Sequence, residues 1–100
     1  MTKPFYAEYA NHAMRFYARN TEVIPDGTKA ADVEMWESCQ RVVMQLSESD
    51  KAVILAVYRS KCSVNEAAKC ISEELNMSQN KIWQLIVRCT RLFAKERGLI

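Results

Sequence analysis

The stretch SQNKIWQLIVRCTRLFAKER, residues 78–97, decides the fold of this chain. Ser78 is a favourable N-cap and Gly98 a favourable helix stop, so the residues between them are predicted to form an α-helix. At about 100° per residue, apolar side chains cover most of the circumference of this helix. The predicted buried line contains Ile82, Ile86, Cys89 and Phe93, flanked by Leu85 and Leu92 on one side and by Trp83, Val87, Thr90 and Ala94 on the other.

A narrow polar strip is left on the same helix, and it carries four positive charges and no negative charge. Residues 76–100 hold five basic side chains and one acidic side chain, whereas residues 1–46 and 47–75 each have a net charge of −1. A helix that is mostly buried in a domain and exposes one basic strip is suited to bind a polyanion through that strip. The strip consists of Asn80, Lys81, Gln84, Arg88, Arg91 and Lys95.

The chain has 100 residues, which predicts a single helical domain with a small core. It contains no apolar run long enough to span a bilayer, and its start lacks the apolar segment of a secretory signal. We therefore expect a cytoplasmic protein that has no membrane contact.

Catalytic and metal-binding patterns are missing from the sequence. The four cysteines lack metal-ligand or redox spacing, so we expect free thiols, with Cys39, Cys70 and Cys89 at buried helix positions. We find no paired-carboxylate, Cys–His or Ser–His pattern and no glycine-rich phosphate loop. The expectation is a protein that is not an enzyme and needs no cofactor and no metal.

Two helices are predicted in the N-terminal segment, residues 1–46. In residues 4–19, one face has helical spacing, which favours either a face packed on the domain or a partner-binding surface. This face consists of Phe5, Tyr9, Ala13 and Phe16, with Tyr6 and Tyr17 beside them. Residues 20–29 form a loop with a turn signal, and residues 30–46 form a second helix anchored in the core by Trp36.

Three further helices have serine starts, at Ser47, Ser63 and Ser78. The last two are separated by a short turn, which is the arrangement of a helix-turn-helix. The sequence thus predicts an all-α fold of about five helices, with a helix-turn-helix in residues 47–100 preceded by two packing helices.

Residues 46–93 resemble region 4 of the sigma-70 family of bacterial RNA polymerase sigma factors and the small phage and bacterial regulators that share it. The resemblance rests on Leu46-Ser47, on Val53, Ile54 and Tyr58, on SVNEAAK at 63–69, and on SQNKIWQL at 78–85 continuing to Arg88-Cys89. It implies that Gln79, Asn80, Lys81 and Gln84 read bases and that Arg88 lies near phosphate. Arg91 and Lys95 continue the strip, and we expect them to neutralise phosphates too.

Two departures from the family limit what the resemblance implies. The chain is about four residues longer between Ala68 and Ser78, which adds about one turn of helix, Ile71 to Leu75. The residues before 46 do not resemble the other parts of a sigma factor, so we do not expect a complete sigma factor. The two N-terminal helices are expected either to complete the core or to build a homodimer.

The leading hypothesis is a sequence-specific transcriptional regulator, of phage or bacterial origin, that binds double-stranded DNA. The alternative is a protein-interaction module that binds RNA polymerase or a sigma or anti-sigma type of partner. Salt dependence distinguishes them, because DNA binding weakens steeply with salt and an apolar protein contact does not.

Overall fold

Five α-helices joined by short connections form the fold of residues 4–100, the part of the chain that the computed structural model describes. No β-strand occurs among these residues. The all-α prediction and the number of helices are confirmed. The helices are α1 (Ala7–Arg19), α2 (Ala30–Met44), α3 (Glu48–Arg59), α4 (Val64–Leu75) and α5 (Gln79–Glu96).

The starts of the helices differ between the two halves of the chain. Ser47, Ser63 and Ser78 each accept a hydrogen bond from the backbone N–H three residues later, at 3.1–3.2 Å. These bonds satisfy donors that the first turn of a helix otherwise leaves unpaired. The N-cap residues of α1 and α2 are Tyr6 and Lys29, and neither side chain makes such a bond.

A single hydrophobic core contains residues from all five helices. α5 packs against each of the other four helices, so it lies at the centre of the arrangement. The N-terminal helices α1 and α2 therefore complete the core around α5, which is one of the two roles expected from the sequence; the other was a homodimer. Fully buried members include Met14 of α1, Val42 and Val43 of α2, Ile54 of α3, Ala68 of α4, and Ile82 and Phe93 of α5.

The face of α1 that enters the core matches the predicted aromatic face only in part, because Ala13 and Tyr17 are buried and Phe16 packs against the core, whereas Phe5 and Tyr9 do not enter it. Its buried line is Ala10, Ala13, Met14 and Tyr17, and Phe5, before the helix, is 77% exposed. The alanines let α1 approach its neighbours closely, which places the aromatic line toward the edge of the contact. There the Tyr9 ring is partly exposed and meets the Phe93 ring edge-on, with ring centroids 5.2 Å apart.

Two other predicted core positions also differ. Trp36 is only partly buried: its ring lies against Tyr17, at 5.3 Å between centroids, and its indole N–H donates to the Asn20 carbonyl at 2.7 Å. Cys70 is exposed because it lies on α4 outside the surface that the neighbouring helices cover. Trp36 thus closes the edge of the core rather than anchoring its centre.

Among residues 4–100, none of the helices combines the length and the apolar character needed to cross a membrane.

Candidate nucleic-acid interface

A tight turn connects α4 to α5 and sets the direction of α5. Asn76 ends α4 in the left-handed conformation, with φ 53°, which asparagine tolerates better than most residues. The backbone N–H groups of Asn76 and Met77 both donate to the Ser72 carbonyl, so the end of α4 is capped. Ser78 then caps α5, and α4 and α5 pack against each other and against α3. This connectivity is that of a helix-turn-helix.

All seven residues predicted to contact DNA have exposed side chains. At about 100° per residue, Asn80, Arg88, Arg91 and Lys95 lie within about 40° of Gln84 around the axis of α5. Lys81 lies about 60° from Gln84, whereas Gln79 lies about 140° away. The helix therefore brings six of the seven onto one face, which we call the polar face, and leaves Gln79 apart from it.

The cations of the polar face have no acidic partner within the described residues. The two ion pairs found there join Arg41 to Glu96 at 2.7 Å and Arg97 to Glu34 at 3.7 Å, both between α2 and the end of α5. Glu96 is the only acidic residue of α5, and Arg41 neutralises it. Positive charge is consequently left unbalanced along the polar face, at Lys81, Arg88, Arg91 and Lys95.

Val87 and Trp83 are the functional candidates that sequence reasoning missed. Both were assigned to the buried flank of α5, but Val87 is 57% exposed and Trp83 is only partly buried. Thr90 and Ala94, farther along the same flank, are buried as predicted. The flank is therefore covered toward the C-terminal end of α5 but left open at Val87.

The two missed residues belong to the same surface as the polar strip. A shallow open groove lies among side chains of α5 itself, and its lining combines residues of the strip with the two apolar residues. The signal for Val87 was present in the sequence, since it lies about 60° from Gln84, no farther than Lys81 does. The groove is lined by Asn80, Trp83, Gln84, Val87, Arg88 and Arg91.

Buried thiols account for two of the four cysteines. Burial raises the pKa of Cys39 and of Cys89 to about 12, so both remain protonated near neutral pH. A protonated buried thiol is a poor nucleophile and a poor metal ligand. Within the described part of the chain, no three His, Cys, Asp or Glu side chains are grouped so as to hold a metal ion. The chemistry available at the surface of α5 is therefore hydrogen bonding, positive charge and apolar contact.

No protein-family model, curated protein or solved structure matches the chain.

Proposed function

We propose that this protein is a sequence-specific transcriptional regulator that binds double-stranded DNA, with α5 as the recognition helix in the major groove. The observation that supports the proposal most strongly is the polar face of α5. It combines two amide side chains with four cations and no acid, on the second helix of a helix-turn-helix. Amides and cations are the groups that hydrogen-bond to base edges and neutralise phosphates.

The two halves of the polar face have different roles in this proposal. Asn80, Lys81 and Gln84 lie in the first two turns of α5, where a recognition helix reaches base edges. Arg88, Arg91 and Lys95 follow toward the C-terminal end, where the helix leaves the groove and meets the backbone. The resemblance of residues 46–93 to sigma region 4 supports the same assignment, and with it a cytoplasmic protein of bacterial or phage origin.

Dimerisation is a further part of the proposal. One copy offers about four cationic contacts to phosphate, and helix-turn-helix proteins commonly bind two half-sites as dimers. Phe5, 77% exposed and just before α1, and Tyr9, 38% exposed in its first turn, give the start of α1 an aromatic edge. We propose a homodimer through the N-terminal helices, which sedimentation at tens of micromolar protein, with and without DNA, would test.

The apolar side chains in the groove of α5 favour a second candidate function. Val87 is an exposed aliphatic residue next to the partly buried Trp83, and apolar surface of this kind also suits a protein partner such as RNA polymerase or a sigma or anti-sigma type of protein. Such a partner would make contacts that depend weakly on salt.

The decisive experiment compares Gln84→Ala with Arg91→Ala. DNA duplexes that the wild type enriches from a randomised library supply a preferred sequence, and the unselected library supplies random DNA. Gln84→Ala is expected to reduce the preference by about 1–3 kcal/mol with little change in salt slope. Arg91→Ala is expected to weaken binding to both DNAs equally and to lower the salt slope by about one unit.

Fluorescence anisotropy across a salt series measures all of these quantities. Lys29→Ala, which removes an exposed cation remote in sequence from α5, is the matched control and should change neither preference nor affinity appreciably. If Gln84→Ala and Arg91→Ala behave alike, or if the wild type binds no duplex, the polar face does not read DNA and the protein-partner function takes precedence.

A further inference from the structure

Val87 lies one turn after Gln84 on α5, next to the residues that the proposed function places in the major groove. Its neighbours on consecutive turns of α5 are Gln84, three residues before, and Arg91, four residues after, since side chains at these spacings lie side by side on a helix. It is 57% exposed and lines the same groove as Asn80 and Gln84. Val87 and the partly buried Trp83 are thus the apolar residues of a groove whose other side chains carry amide groups or positive charge.

Trp83 is the second apolar side chain of this surface. It lies one turn before Val87, and it packs against the hydrophobic core while still lining the groove. Val87 is β-branched, so its side chain has one strongly preferred rotamer in a helix. The two residues therefore form a firm apolar wall rather than a mobile one, and a firm wall can discriminate between surfaces that differ by a single methyl group.

The charge around the wall indicates which kind of molecule covers it. Arg88 and Arg91 line the same groove, and α5 has no acidic residue before Glu96. A partner at this site must therefore combine negative charge with a small apolar group. Duplex DNA does so in its major groove, where phosphates flank the base edges and the C5-methyl group of thymine is the apolar feature.

We propose that Val87, supported by Trp83, contacts the C5-methyl group of a thymine, so that the protein requires a T·A pair at one fixed position of its site. This inference rests on the proposed DNA-binding function and assigns to it a specificity-determining residue. The amides of Asn80 and Gln84 would read neighbouring positions by hydrogen bonds, whereas Val87 reads by apolar contact alone.

Uracil differs from thymine only by the missing C5-methyl group, which makes a direct test available. The probe is the duplex most enriched by the wild-type protein from a randomised library, with each thymine replaced in turn by deoxyuridine. At one position the wild type is expected to lose about fourfold in affinity, as the burial of one methyl group implies. Val87→Ala is expected to bind the thymine duplex more weakly and to be insensitive to uracil at that position.

Val23→Ala is the matched control, because Val23 is 72% exposed and lies in the loop between α1 and α2. It should show the uracil sensitivity of the wild type. Circular dichroism melts confirm that both variants fold, which is expected because both valines are exposed.

The possible results separate the two proposals. A duplex that is enriched but shows no uracil-sensitive position, or equal sensitivity in the wild type and Val87→Ala, overturns the thymine contact and leaves DNA binding standing. If no duplex is enriched or bound, the DNA-binding function fails together with the thymine contact, and the groove is left to a protein partner.

Discussion

The two N-terminal helices and the three C-terminal helices share one core but are specified in different ways. α3, α4 and α5 each begin at a serine whose hydroxyl accepts a backbone N–H, and the turn before α5 uses Asn76 in a left-handed conformation. α1 and α2 begin at Tyr6 and Lys29 without such a bond. Short sequence signals therefore specify the helix-turn-helix half, whereas the N-terminal half depends more on the surface that it covers.

Polar contacts across the core support this view of the N-terminal half. The Tyr58 hydroxyl of α3 donates to Asn11 Oδ1 of α1 at 2.7 Å. Arg59 Nε of α3 donates to the Ala18 carbonyl at 2.8 Å, at the end of α1. These bonds join residues more than forty positions apart in sequence, so they form only when α1 and α3 have been brought together.

The largest effect is expected from Ile82→Ala. Ile82 is completely buried in α5, the helix on which both halves pack, so its truncation should lower the free energy of unfolding by about 2–5 kcal/mol. Far-UV circular dichroism during a denaturant titration measures the loss. Because α5 connects the halves, the unfolding of both should remain one transition. A neutral result would mean that the core does not centre on α5.

The next effect concerns the caps of the C-terminal half. Ser78→Ala removes the acceptor for the Lys81 N–H and should cost about 1 kcal/mol of stability. Ser49→Ala, inside α3, is the matched control, because Ser49 is exposed and alanine has the higher helix propensity. Thermal melts of both variants make the comparison. If both substitutions change the stability by the same amount, the side-chain cap at Ser78 does not stabilise α5.

The smallest effect is a predicted gain in the N-terminal half. Lys29 has φ −64° and ψ 150°, close to the values of the serine caps, and its carbonyl accepts the Val33 N–H at 3.0 Å. Lys29→Ser supplies the missing side-chain acceptor and should raise the free energy of unfolding by about 0.5–1 kcal/mol. Lys61→Ser, in an exposed loop, controls for the lost charge. Stability unchanged from the wild type, or lowered, would contradict the capping explanation.

Much of the candidate site followed from spacing alone. A cap at Ser78 and a uniform helix are enough to place the residues of the polar face, and the structure leaves all of them exposed. They are Asn80, Lys81, Gln84 and Arg88, continued by Arg91 and Lys95. Their contact with DNA stays a prediction. The spacing of Val87 also allowed it on this surface, but its hydrophobicity placed it on the buried flank, and hydrophobicity predicts burial only where another element is present to cover the residue.

The sequence by itself determined five helices, the three serine starts, the turn at Asn76 and the polar face of α5, because each of these depends on interactions within a few residues along the chain. Tertiary structure alone decided which apolar residues are buried. It placed α5 against all four other helices, and it left Phe5, Cys70 and Val87 exposed. The physical reason is that burial is a property of two surfaces in contact, and periodicity along one helix describes only one of them.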